Sequence, residues 1–198
     1  MKNCRKIILI ICILSLALSV SAADWPQFRG ENYSSVSTET DWQAVWKETP
    51  PMWTFKLGRG FSSVVVEDNR IYAVGTERLR GEEAKALQEK HGDESINGRD
   101  ILYCIEADSG EEIWQTVLSA YRVDRGSLAT PALSEEQVFT YSTEGLLSAC
   151  NKVTGKILWE RDLMSEIKMI GGRDGLASTP TVYDGKNFLH AAIPEQLD

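Results

Sequence analysis

Apolar and polar positions alternate along this chain in short runs, and the runs return. Ser62-Ser63-Val64-Val65-Val66 and Arg70-Ile71-Tyr72-Ala73-Val74 flank a polar Glu67-Asp68-Asn69 triplet. The same layout recurs as Ala129 to Leu133 and Gln137 to Tyr141 around Ser134-Glu135-Glu136, and again as Ser178 to Val182 and Lys186 to Leu189 around Tyr183-Asp184-Gly185. Strand-length apolar runs separated by polar or glycine-bearing triplets predict hairpins. Pro131 and Pro180 hold the same register at the start of the first strand, where a missing N–H is least costly.

A second hairpin follows the first two. Leu102 to Ile105, the turn Asp108-Ser109-Gly110 and Ile113 to Val117 form one copy. Leu146 to Cys150, Val153-Thr154-Gly155 and Ile157-Leu158-Trp159 form the other, 45 residues later. Gly110 and Gly155 suit a left-handed turn position. Joined, the hairpins predict four-stranded units over Ser62 to Val117 and Thr130 to Leu163, with a half-unit from Ser178. A repeat of that length and strand count is the period of β-propeller blades. Upstream, Met52 to Leu57 reads as a lone fourth strand, with Trp53 in the place of Trp114 and Trp159.

Two stretches break the pattern. Residues 77–99 form an insertion whose middle, Glu82 to Lys90, is rich in strong helix formers and predicts a short surface helix, with Ala84, Leu87 and His91 on one weakly apolar face. The first 23 residues predict a signal peptide: Lys2, Arg5 and Lys6 precede an apolar run from Ile7 to Val20, and Ser21, Ala22 and Ala23 follow. Cleavage is expected after Ala22 or Ala23, which leaves the repeat domain, 24–198, to an exported, periplasmic or extracellular protein. Cys104 and Cys150 then remain; one register apart on the repeat, they predict two small core residues on different faces, not a disulfide.

Loss of the leader's three basic residues takes the net charge from −8 to −11. An acidic surface without a basic stripe argues against nucleic acid and against anionic membrane surfaces.

Cys104-x-Glu106-x-x-Ser109-Gly110-x-x-x-Trp114 and Ala149-x-Asn151-x-x-Thr154-Gly155-x-x-x-Trp159 resemble the tryptophan-docking repeat of pyrroloquinoline-quinone-type (PQQ-like) β-propellers. The opening Asp24-Trp25-Pro26-Gln27-Phe28-Arg29-Gly30 is similar to the start of many secreted members. The resemblance implies an all-β fold, a partial propeller of four-stranded antiparallel blades in which each motif Trp packs against its neighbour. A buried Trp removes on the order of 200 Å² from water, about 5 kcal/mol by area. Gly110, Trp114, Gly155, Trp159 and Trp53 are therefore expected to be structural residues of the repeat.

Quinone-binding members of the family hold the cofactor over a calcium ion and commonly carry two adjacent cysteines. This chain has no Cys-Cys pair, and the family's third-strand acids are replaced or softened here to Glu106 and Asn151. No catalytic or metal residue is assigned, and no cofactor is expected; PQQ and calcium belong only to the alternative of a quinoprotein oxidoreductase fragment. Two blades and a half-blade fall short of a ring, which predicts a truncated chain, or an arc closed by self-association or by a protein partner. A non-catalytic module for protein or ligand binding is the expected function.

Other candidates read as structural. Gly58-x-Gly60-x-x-Ser63 opens no helix and is expected to be a turn, not a phosphate loop. His91 and His190 lack partners at ligand spacing. Ser62, Ser127 and Ser178 have no matching His, so no triad is assembled. Asp124, Arg125, Arg173 and Asp174 are expected to be solvated loop charges, and the Asn32-Tyr33-Ser34 sequon to be idle.

Overall fold

A computed structural model describes residues 23–40, 49–169 and 176–190; all but Ala23 of the segment expected to be a signal peptide, 1–23, together with Arg173 and Asp174, lies outside the described residues. The first sheet has the order β1-β2-β3-β4, from strands β1 (Val65–Glu67), β2 (Arg70–Arg78), β3 (Gly98–Glu106) and β4 (Glu112–Tyr121). The second is β5-β6-β7-β8, from β5 (Ala132–Leu133), β6 (Gln137–Tyr141), β7 (Leu146–Asn151) and β8 (Ile157–Asp162). A hairpin of β9 (Thr181–Tyr183) and β10 (Lys186–Phe188) begins a third unit. All ladders are antiparallel between chain neighbours, which makes each sheet a blade and the whole a partial propeller.

The two full blades repeat down to their irregularities. Tyr72 pairs with Cys104 and Cys104 with Trp114; Phe139 pairs with Ala149 and Ala149 with Trp159. One residue further on, both ladders slip, after Cys104 and after Ala149. Such a bulge increases local twist and re-aims the fourth strand. Tilted aromatic pairs stand at the same place in both blades, Tyr72 on Trp114 and Phe139 on Trp159, each with centroids 5.9 Å apart.

The core is layered between blades. Val65, Tyr72, Val74, Leu102 and Cys104 of the first blade meet Leu133, Val138 and Cys150 of the second. Both thiols are buried and free. Their one-register offset puts them on opposite faces of their own blades; because blades stack face to face, those two faces form a single layer. Burial pushes each thiol up to about 11. Reactivity follows the thiolate, so neither should alkylate with iodoacetamide at pH 8 in the native protein, while both should react fully in urea. Mass spectrometry before and after denaturation checks this; rapid native labelling of either would contradict the layer.

The insertion contains the expected helix, α1 (Gly81–His91), stopped by Gly92 at φ 68°. Glu82 and Glu83 in its first turn and Lys90 and His91 in its last complement the helix dipole. Its bounds need correction: β2 runs through Arg78 and β3 starts at Gly98, so residues 77, 78, 98 and 99 extend the blade and only 79–97 depart from it. Ala84 is buried and Leu87 half-buried, but His91 is exposed and does not join their face. Met52 to Leu57 is also corrected, since no ladder is formed there. It is nonetheless extended in character: Trp53, Phe55 and Leu57 are half-buried, while Thr54 and Lys56 are exposed. The inward set covers the outer face of the first blade at Ile101, Tyr103 and Ile105.

Candidate functional site

The repeat residues singled out in the sequence meet one another across blade boundaries. The Trp53 ring lies over Gly110, where a Cβ would come within 2.5 Å of it, and its Nε1 donates to the Ala107 carbonyl at 2.8 Å. Trp114 lies over Gly155 in the same way, with 2.5 Å to an imagined Cβ. Both glycines have positive φ, 74° and 72°, so the turn itself excludes most side chains before the indole does. The Trp114 contact differs in its polar part. Its Nε1 is buried without a partner, and the Lys152 carbonyl, which corresponds to that of Ala107, accepts instead from the Tyr72 hydroxyl at 3.2 Å.

Other contacts reinforce the first boundary. The Thr116 hydroxyl donates to the Gly155 carbonyl at 2.7 Å, and Lys152 forms an ion pair with Glu67 from the neighbouring blade. A third contact repeats and was not foreseen from sequence. The Ser63 N–H donates to the Thr130 hydroxyl at 3.1 Å, and the Thr130 N–H donates to the Thr179 hydroxyl at 3.2 Å. Each threonine precedes one of the aligned prolines, so a relay of hydroxyls ties the inner strands of successive blades. The signal was present in the shared register of Ser63, Thr130 and Thr179.

Trp159 stands apart from the other two indoles. It is 37% exposed on a strand whose residues are nearly all exposed, beside Leu158 at 46%. The third unit's hairpin reaches the second blade at its inner strand, where β9 lies against β5. Among the described residues, Leu158 and Trp159 leave apolar surface exposed on the second blade's fourth strand.

The remaining candidates are structural in place. Gly58 and Gly60 carry a brace: Arg59 bridges Thr76 and Gly60 bridges Ser127, with 2.5 Å from an imagined Gly58 Cβ to the Thr76 carbonyl. Ser62 donates to the Val74 carbonyl at 3.0 Å, and Ser127 is buried. Asp124, Arg125 and His190 are exposed. A hollow of about 320 Å³ beside α1, lined by Leu79, Glu83, Ala86, Leu87, Lys90 and Arg99, is open to solvent, and Arg99 there is paired with Glu77 at 2.7 Å.

The two third-strand motif positions, Glu106 and Asn151, are committed to local hydrogen bonds. Glu106 accepts from the Ser109 hydroxyl at 2.6 Å, and Asn151 Oδ1 accepts from the Thr154 N–H and hydroxyl at 2.9 and 3.0 Å, so both are engaged in their own turns. The cysteines lie in the core layer between blades. Among the described residues no group of three or more His, Cys, Asp or Glu could hold a metal ion, and no helix is long and apolar enough to cross a membrane.

A further cluster escaped the sequence reading. Asp100, 1% exposed, accepts at one carboxylate oxygen from the Thr76 hydroxyl at 2.5 Å and the Tyr121 hydroxyl at 2.8 Å. The Ser127 N–H donates to the Thr76 hydroxyl oxygen at 2.7 Å. This node joins three strands of the first blade to the segment leading into the second. Polar Thr76 and Asp100 within apolar strands were its only sequence signal.

Residues 98–194 match the family described as outer membrane protein assembly factor BamB. No curated protein matches the chain in sequence. Among solved structures, quinohemoprotein alcohol dehydrogenase from Comamonas testosteroni is similar at 18% identity and a TM-score of 0.57, over 86% of this chain and 23% of that one. A europium-containing methanol dehydrogenase (16% identity, TM-score 0.43, 71% of this chain and 22% of that one) and BamB from Moraxella catarrhalis (16%, 0.37, 68% and 46%) also match. The chain spans about a quarter of the length of the first of these structures. Over residues 98–194 the chain is similar to this PQQ-like repeat family, and its fold is that of a partial β-propeller.

Proposed function

We propose that this is a non-catalytic binding module, exported beyond the cytoplasmic membrane, whose exposed surface at Leu158 and Trp159 takes a protein partner. The observation that carries the reading is the exposed Trp159, third in a series whose other two members each cover a motif glycine. The occupant that fits is a polypeptide bringing a further Ser/Thr-Gly turn of this repeat. A second copy of the described fold is a poor fit, because Gly110 and Gly155 are already covered by Trp53 and Trp114. The matched family's description as an assembly factor supports a role in protein assembly.

A photo-reactive benzoyl-phenylalanine in place of Leu158 tests this in the exported chain. The expected product is a cross-link to a Ser/Thr-Gly repeat turn of another polypeptide, lost when Trp159 is also changed to Ala. Cross-links to the Gly110 or Gly155 turn of a second copy, or none, would overturn the reading. The alternative, a segment of a quinoprotein oxidoreductase, draws on fold likeness. Titration with PQQ and calcium distinguishes it: saturable binding with dye-linked alcohol oxidation would favour the enzyme.

A further inference from the structure

The first described residues form a strap across the inner strands. Trp25 exchanges both backbone hydrogen bonds with Val66 of β1, at 2.7 and 3.0 Å. The Pro26 carbonyl accepts from the Leu133 N–H of β5 at 2.9 Å, and the Tyr33 hydroxyl donates to the Val182 carbonyl of β9 at 3.2 Å. One segment thus touches three consecutive blade units. It reverses at Arg29 and Gly30, both at positive φ, with the Trp25 ring packed over Gly30. Its leading end is also held. The Asp24 carboxylate accepts from the Asp68 N–H at 3.2 Å, and the Ala23 N–H donates to the Glu39 carboxylate at 2.8 Å.

The sequence offers leader cleavage on either side of Ala23: Ser21 and Ala23 stand third and first before one bond, Val20 and Ala22 before the other. The two cuts are not equivalent for the strap. A cut after Ala23 removes the nitrogen that Glu39 holds. A cut after Ala22 keeps it and turns a neutral amide donor into an ammonium, and such charge-assisted hydrogen bonds are shorter and stronger than neutral ones.

We propose that a leader peptidase hydrolyses the Ala22–Ala23 bond, and that Glu39 binds the new N-terminus as the anchor of this strap. Water adds its oxygen to the Ala22 carbonyl carbon as the C–N bond breaks. The departing leader carries the carboxylate, and both protons of the water pass to nitrogen, leaving an ammonium on Ala23. The proposal rests on the export reading above but fails separately from it.

The test uses the full chain, exported by its own leader from a bacterial host. Intact-mass and N-terminal peptide analysis should find Ala23 first. Asp24 first would overturn the assignment while leaving export intact; Met1 first would overturn both. A second measurement addresses the anchor. Pairing with Glu39 should raise the terminal amine's pKa and slow its acylation by an amine-reactive ester at pH 7. Glu39→Gln should then label about threefold faster, which is the effect of half a pKa unit. Equal labelling rates would show that Glu39 does not hold the terminus, and would overturn that part.

Discussion

Gly155→Ala destabilises the protein by about 2–5 kcal/mol in urea denaturation, although it adds a single methyl group. Two physical effects add. At φ 72° a side chain in the left-handed region costs roughly 1–2 kcal/mol. The new Cβ would also stand 2.5 Å from the Trp114 ring and 2.7 Å from the Thr116 hydroxyl, and overpacking of this kind costs about 1–3 kcal/mol. Gly185 separates the terms, since its φ is 66° but nothing lies within 4 Å of its would-be Cβ. Gly185→Ala should therefore show the backbone cost alone. Trp114→Ala should lose about 3–5 kcal/mol, as large-to-small core changes do. In the double variant the methyl has no ring to strike, so the combined loss should fall short of the sum by about 1 kcal/mol or more. Equal losses for Gly155→Ala and Gly185→Ala would remove the indole from the explanation.

The repeat that carries this contact was legible in the sequence, whereas the seating of Trp114 on Gly155 was not. Gly110 and Gly155, Trp114 and Trp159 recur at one spacing, and a residue that returns with the blade belongs to the blade. Helix α1 was legible because its propensity is local. Its bounds were not, because β2 and β3 extend their ladder outwards through the pairs Glu77 with Arg99 and Arg78 with Gly98, and that pairing depends on the partner strand. Met52 to Leu57 has strand-like alternation but no ladder among the described residues, since a strand is defined by its neighbour. The strap was illegible for a related reason. Trp25 finds Val66 and Pro26 finds Leu133 across long stretches of chain, and nothing in the local pattern of residues 24–35 names those partners.

Asp100 carries the second large effect. Burial raises its pKa above the usual carboxylate range, while the Thr76 and Tyr121 hydroxyls oppose that rise and Glu144 adds to it. A group whose folded pKa is raised binds its proton more tightly in the native state. Its contribution to stability is therefore complete below the ordinary carboxylate pKa of about 3.9. It is lost as pH rises through the folded value, and is level above that. Asp100→Asn keeps an acceptor oxygen for both hydroxyls and cannot ionise. It should abolish this component of the pH dependence and leave stability at neutral pH unchanged or higher. Asp100→Ala removes the shared acceptor of the Thr76 and Tyr121 hydroxyls, which lie 3.3 Å apart and can satisfy one donor between them; the other donor left unpaired should cost about 1–3 kcal/mol. Urea denaturation of the three proteins between pH 3 and 8 checks both outcomes. An unchanged acid-side curve for Asp100→Asn would mean that the carboxyl does not titrate with folding. A loss below 0.5 kcal/mol for Asp100→Ala would mean that the node does not hold the blade to the segment at Ser127. The physical reason for such a node lies in the divergence of the two copies. Asp100 and Thr76 correspond to Gly145 and Thr143 in the second blade's short turn. Where the first blade's strands are prolonged toward α1, their extra polar backbone and side chains must find partners away from water, and Asp100 gathers them.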